Sequence, residues 1–286
     1  MIRIAAFADE ASPSLEGQIA ALQRNGISLI EVRALNGVNV RDLSEQEARA
    51  HAARLAAAGI EVWAIGSPLG KVELSCDFEA YQGTVRHICR LAQIFGTDKI
   101  RIFSFFEAYD DKARVVTYLR EMVRVAAAYG VTLYHENEKK VFGDTAARVC
   151  ELAARVPGLR FVFDPANFLE AGEDLAAALA VLHGKSDYFH VKDLIFSTGE
   201  RVPAGCGDAM IGELIERVGD RDRVLTLEPH LMVFEGFAEI DGGELHSRFR
   251  YADANAAFDA AASSLKALLT AHGYTYNERE GGFERI

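Results

Sequence analysis

Runs of lysine or arginine are missing from this chain of 286 residues, in which 42 acidic residues outnumber 31 basic ones for a formal charge of −11. A nucleic-acid binder needs a basic stripe able to overcome such a field, so nucleic acid is excluded as a partner. No apolar stretch approaches the ~20 residues that span a bilayer, which excludes a membrane span. The opening Met1-Ile2-Arg3-Ile4-Ala5-Ala6-Phe7-Ala8-Asp9-Glu10 is too short and too soon acidic for a signal peptide, and reads as a first strand. Cysteine is scarce: Cys76, Cys89, Cys150 and Cys206 show no CxxC spacing, as expected of free thiols in a reducing cytoplasm. No linker rich in Pro, Gly or Ser divides the chain and no repeat recurs, so one domain is expected over 1–275, with a polar tail at 276–286. Half of the residues are hydrophobic, enough for a sizeable core.

What is present is an alternation. Short runs rich in β-branched and aromatic residues occur at Ile2–Phe7, Leu29–Val32, Ile60–Ile65, Ile100–Phe105, Val131–Glu136, Leu159–Asp164, Tyr188–Val191 and Val224–Glu228. A segment of helical period follows each. Leu15, Ile19 and Leu22 share a face; Ser44 and Glu47 have the spacing of a capping box; Val115, Leu119, Met122 and Ala126 line up; so do Phe258, Ala261, Leu265 and Leu268. Eight βα units predict an α/β fold of the closed (β/α)8 TIM barrel type. An open doubly wound sheet would usually bring a glycine-rich phosphate turn after its first strand, and Ala8-Asp9-Glu10-Ala11-Ser12-Pro13 contains no glycine.

In such barrels chemistry sits where strands end. Strand five ends in Glu136, strand six in Asp164, strand seven carries His190, and strand eight ends in Glu228. Strand alternation puts Glu136 on the face of Tyr134 and Glu228 on that of Thr226; if these faces point inward, the four residues converge. Three crowded carboxylates would repel one another, and a divalent cation removes that conflict. Three oxygen donors with one imidazole suit Mn²⁺, Mg²⁺, Co²⁺, Fe²⁺ or Zn²⁺, with positions left open for a substrate; Mn²⁺ or Zn²⁺ is foremost.

Other polar residues are candidates for substrate contact. Arg33 follows strand two, Lys71 closes Gly66-Ser67-Pro68-Leu69-Gly70-Lys71 after strand three, and Lys192 shares a strand face with His190. Gly205-Cys206-Gly207-Asp208 reads as a turn into a helix.

The segments His135-Glu136-Asn137-Glu138, Phe163-Asp164-Pro165-Ala166-Asn167-Phe168, His190-Val191-Lys192-Asp193 and Leu227-Glu228-Pro229-His230 resemble the sugar phosphate isomerase/epimerase family of xylose isomerase-like TIM barrels. The resemblance runs through nearly the whole chain, including Ile30-Glu31-Val32-Arg33 and Val202-Pro203-Ala204-Gly205-Cys206-Gly207-Asp208. It implies one divalent metal ion held by Glu136, Asp164, His190 and Glu228, with Glu136 and Glu228 doubling as acid and base. Many such epimerases carry a substrate-touching histidine three residues after the ligand aspartate. That position is Asn167 here, and an amide can bond a hydroxyl but cannot carry a proton at neutral pH. Endonuclease IV shares the barrel but uses a trinuclear cluster with more histidines.

The expected function is therefore metal-dependent isomerisation or epimerisation of a keto-sugar, free or phosphorylated, through an enediolate. Arg33, Lys71, Asn167 and Lys192 would contact the substrate. Two alternatives stand beside it: a dehydratase or lyase acting on a keto-sugar or 3-keto-glycoside, and a catalytically dead barrel that binds a sugar. The expected partner is a small-molecule sugar, and the reading allows a homo-oligomer.

Overall fold

The computed structural model describes residues 1–218, 221–234 and 245–285. Among these residues fourteen strands run in chain order: β1 (Ile2–Ala6), β2 (Leu29–Val32), β3 (Ala34–Leu35), β4 (Val38–Asn39), β5 (Glu61–Gly66), β6 (Lys99–Ile102), β7 (Thr132–Glu136), β8 (Arg160–Phe163), β9 (Tyr188–Val191), β10 (Asp193–Ile195), β11 (Glu200–Val202), β12 (Arg223–Leu227), β13 (Tyr274–Asn277) and β14 (Gly282–Arg285). Eight of them, in the order β1, β2, β5, β6, β7, β8, β9, β12, pair in parallel with their neighbours. The register Ile2↔Arg223 to Ala6↔Leu227 joins β12 back to β1 and closes the barrel.

Helices α1 (Leu15–Arg24), α2 (Glu45–Ala57), α3 (Phe78–Phe95), α4 (Lys112–Ala127), α5 (Ala146–Arg155), α6 (Pro165–Glu170), α7 (Leu175–Leu182), α8 (Ile211–Val218) and α9 (Ala254–Ala271) surround it. The capping box at Ser44 and Glu47 forms as its spacing predicts. The main core lies between strands and helices. Ile4, Ile30, Ile100, Leu133, Phe161 and Leu225 meet Leu22, Leu91, Leu119 and Leu265 there.

A separate small cluster fills the barrel interior: Ala5, Leu29, Val162, Tyr188 and Val224, with Trp63 and Tyr134 against it. This cluster decides where the site falls. Side chains alternate along a strand, so the residue two positions on faces inward again. From Leu29 that step reaches Glu31, from Tyr134 it reaches Glu136, from Val162 Asp164, from Tyr188 His190, and from Val224 Thr226 and then Glu228. The apolar floor and the ionisable layer above it are two rows of one face.

Two short hairpins lie outside the barrel sheet, β3 with β4 and β10 with β11. The polar tail expected at 276–286 is, over its described residues, part of a hairpin. β13 pairs antiparallel with β14, and β14 meets β1 at Ile2↔Phe283, where Phe283 is buried.

Candidate metal centre

Each of the four expected ligands is brought in by its own strand end. Glu136 closes β7, His190 lies in β9, and Glu228 follows β12. Asp164 follows β8 and is also the N-cap of α6: its Oδ1 accepts the Asn167 N–H at 3.0 Å, with Pro165 in the first turn. That short helix has no counterpart in the periodicity of the sequence. It divides the labour of the carboxylate, with Oδ1 to the helix and Oδ2 3.3 Å from Lys192 Nζ.

One ligand atom from each of Glu136, Asp164, His190 and Glu228 lies within 4.8 Å of the others, and all four residues are buried. His190 Nδ1 stands 3.1 Å from Glu136 Oε1 and 3.3 Å from Glu228 Oε2. Three buried atoms here, Asp164 Oδ2, His190 Nδ1 and Glu228 Oε2, make no well-aligned hydrogen bond; their near neighbours are the ion-pair contacts among the four residues and Lys192. Buried polar atoms are rarely left so. Three carboxylates and one imidazole with open lone pairs on a common centre are a donor set that fits a divalent ion.

The surroundings hold these donors in place. His190 Nε2 lies 3.2 Å from Glu31 Oε2, which also accepts the Thr226 hydroxyl at 3.0 Å; Glu31 Oε1 accepts the Tyr188 hydroxyl at 3.2 Å. A proton on Nε2 directed at Glu31 leaves Nδ1 as a lone-pair donor, the arrangement that orients metal-binding imidazoles. The ring of Phe7 meets the imidazole edge-on, with centroids 5.2 Å apart.

Each glutamate carries an arginine on its outer oxygen. Arg101 Nε is 3.3 Å from Glu136 Oε2, and Arg33 Nη1 is 3.0 Å from Glu228 Oε1. Burial pushes the Glu136 carboxyl up, but His190 and Arg101 outweigh it and hold it at about 2. Burial likewise opposes charge on Glu228, yet Lys192 and the two nearby histidines hold its carboxyl well below the usual range. Asp164 goes the other way: burial raises it to about 6 against the pull of Lys192. Burial disfavours a charged His190, but Glu136 and Glu31 on either side hold its pKa well above the ordinary value.

The substrate-contact candidates divide. A cavity of about 560 Å³ opens over the site, and Arg33, Lys71, Arg101, Glu136, Lys192 and Glu228 all line it, together with the β3–β4 hairpin and Phe103. Lys71 is bonded to Glu138 at 2.9 Å and lies over the Phe103 ring. Arg33 is buried among Asp9, Glu10 and Glu228. Lys192 Nζ donates to Asn167 Oδ1 at 2.8 Å and stands 3.3 Å from Asp164 Oδ2. Asn167 is buried beside the cavity; its amide donates to Glu136 Oε1 at 3.1 Å and to the Asn137 carbonyl at 2.9 Å. It thus ties Glu136 to Lys192.

The turn at Gly205–Asp208 also has its partner in the chain. Asp193 accepts the N–H groups of Gly205, Gly207 and Ala209, so these amides close on an internal carboxylate.

Residues 19–231 match the family described as xylose isomerase-like TIM barrel. The chain belongs to that family. No curated protein matches it. Among solved structures it is similar to the probable 3-DHS dehydratase involved in petrobactin synthesis from Bacillus anthracis, with 21% identity, 93% of this chain and 99% of that chain covered, and a TM-score of 0.72. It is similar to L-ribulose 3-epimerase at 22% identity, covering 95% and 96%, with a TM-score of 0.71. It is similar to 3-keto-D-glucoside 4-epimerase from E. coli at 15% identity, covering 94% and 98%, with a TM-score of 0.67. At these identities the likeness establishes the shared barrel. No helix among the described residues is long and apolar enough to cross a membrane.

Proposed function

We propose that this member of the family is a divalent-metal-dependent isomerase or epimerase of a keto-sugar, working through an enediolate. The observation that carries this reading is the buried set of ligand atoms on Glu136, Asp164, His190 and Glu228, all within 4.8 Å of one another, with Asp164 Oδ2, His190 Nδ1 and Glu228 Oε2 in no well-aligned hydrogen bond. With a divalent ion bound there, its Lewis acidity acidifies the C–H beside the substrate carbonyl and stabilises the negative charge that develops.

The protein side chains supply the rest. Glu136 and Glu228 both reach the cavity wall, on strands separated by β8 and β9. A substrate between them presents one face to each. One glutamate removes the proton, and the other returns it to the opposite face or the adjacent carbon. Arg101 and Arg33 fix the outer oxygen of each carboxylate, so the inner oxygens keep their direction. Lys192 and Lys71, in the same wall, hold substrate oxygens by donating hydrogen bonds. Asn167 keeps Glu136 and Lys192 in register.

A proton-exchange screen tests the proposal. Metal-loaded protein is incubated with a panel of keto-sugars, free and phosphorylated, in D₂O, and C–H signals are followed by NMR. Exchange at the carbon next to the carbonyl is expected for at least one sugar. Metal binding without exchange for any of them would favour a barrel that binds sugars without turning them over. Lys192 gives the elimination reading its own support, because an ammonium in the cavity wall can protonate a leaving oxygen. Product mass separates the two, since isomerisation conserves it and elimination from a keto-sugar or 3-keto-glycoside does not.

A further inference from the structure

A second group of potential ligands adjoins the first. Glu10, Glu228 and His230 are buried, and one ligand atom from each lies within 4.8 Å of the others. Glu228 belongs to both groups, so two ions sharing its carboxylate would make a bridged pair. A guanidinium already stands there. Arg33 Nη1 is 3.0 Å from Glu228 Oε1, and Nη2 is 3.3 Å from Glu10 Oε1. Its other edge grips Asp9, with Nε to Oδ2 at 2.8 Å and Nη2 to Oδ1 at 3.1 Å. The rings of Phe7 and Phe234 close on it, with centroids 4.5 and 4.8 Å from Cζ. Arg33 is only 5% exposed. To leave, it would have to break three ion pairs and two ring contacts together. An arginine also keeps its charge at every pH at which a protein stays folded.

We propose that Arg33 is a built-in cation in the place of a second divalent ion, and that it restricts the centre to one ion and fixes which oxygen of Glu228 faces it. The inference rests on the metal-site reading above. Two like charges cannot share the space between Glu10 and Glu228, so a dication enters only if the guanidinium goes. While Arg33 holds Oε1, Oε2 is the oxygen directed at His190 Nδ1 and the first ion.

The test counts ions rather than turnover. The full chain is titrated with Mn²⁺, and free and bound metal are followed by electron paramagnetic resonance. Wild type is expected to bind one ion per chain with an uncoupled spectrum. Arg33→Met replaces the cation with an unbranched apolar side chain, and should bind two ions whose spins couple through the shared carboxylate. Arg33→Met with Glu10→Gln should return to one. One ion in both wild type and Arg33→Met would overturn this proposal alone. No ion in wild type would remove the metal reading, and this proposal with it. Should Arg33→Met fail to fold, wild type under a large excess of Mn²⁺ at pH 9 decides. A second, coupled ion there overturns the proposal, and a single uncoupled ion sustains it.

Discussion

Glu31→Gln tests whether the proposed metal centre extends beyond its four proposed ligands. Glu31 is 1% exposed and accepts from three donors: Tyr188 through Oε1, His190 and Thr226 through Oε2. Glutamine keeps the shape and one oxygen. With that oxygen turned to His190 and Thr226, its NH₂ meets the Tyr188 hydroxyl, which can accept as well as donate. The packing therefore survives and the negative charge behind the imidazole is lost. Removing such a partner weakens metal binding by about 10–100-fold, or roughly 1.4–2.7 kcal/mol. Glu31→Ala is the harsher comparison. It strands three buried donors at about 1–3 kcal/mol each and should lower Tm strongly. The assay is competition for Mn²⁺ or Zn²⁺ against a chromophoric chelator, with thermal unfolding of the metal-free proteins alongside. Glu31→Gln should keep Tm within a few degrees of wild type while its metal affinity falls at least tenfold. Equal metal affinity in the two proteins would refute the assignment of Glu31 to His190.

Three further outcomes are expected. Glu136→Gln and Glu228→Gln should each lower turnover, or C–H exchange where that is the readout, by roughly 10²–10⁴ while retaining some metal, whereas Asp164→Asn should lose metal first; near-native rates in both glutamine variants at saturating metal would send the search for the base to Lys192. Gly70→Ala should lower stability by about 1–3 kcal/mol or more, seen as a fall in Tm, because Gly70 has φ +87° and a Cβ there would lie 2.2 Å from the Phe103 carbonyl oxygen. An abasic-site duplex should not be incised at physiological salt; incision abolished by Glu136→Ala would contradict the acidic balance of the chain.

The barrel was legible because the eight strand runs and their helices each carry local patterns, and closure needs no further information than their number and order. Where the boundaries moved, long-range contacts moved them. The run Ile100–Phe105 ends as a strand at Ile102, because Phe103 and Phe105 turn their N–H groups to the carbonyls of Leu69 and Gly70. Helix α6 is not legible in the sequence because Asp164-Pro165 looks like a stop, though proline is at ease in a first helical turn. In the site, the four converging residues were readable from one strand end each. Glu31, Asp9, Glu10 and Arg101 were not, because their partners lie on other strands: Glu31 and His190 are 159 positions apart. A signal did exist for Glu31. It is a charge in the middle of the otherwise apolar Leu29-Ile30-Glu31-Val32, on the face shared with Leu29 and Arg33.

The charges around the centre bear on the proposed ion as well as the ligand geometry does. Asp9, Glu10, Glu31, Glu136, Glu138, Asp164 and Glu228 are buried carboxylates at this rim; Arg33, Arg101 and Lys192 are its buried permanent cations, and Lys71 pairs with Glu138. Burial pushes the Glu10 carboxyl up to about 7, against the pull of His230 and Arg33. Carboxylates outnumber permanent cations around the centre, and a divalent ion would offset part of that excess with His190 neutral and its Nδ1 lone pair available. Without the ion, protons must make up the difference, which agrees with the raised pKa of His190 and of Asp164. The three cations are not equivalent. Removing any one of them calls for another positive charge. Among the described residues, Arg33 is the one whose carboxylate partners Glu10 and Glu228 stand with an imidazole, His230, close enough to ligate a second ion.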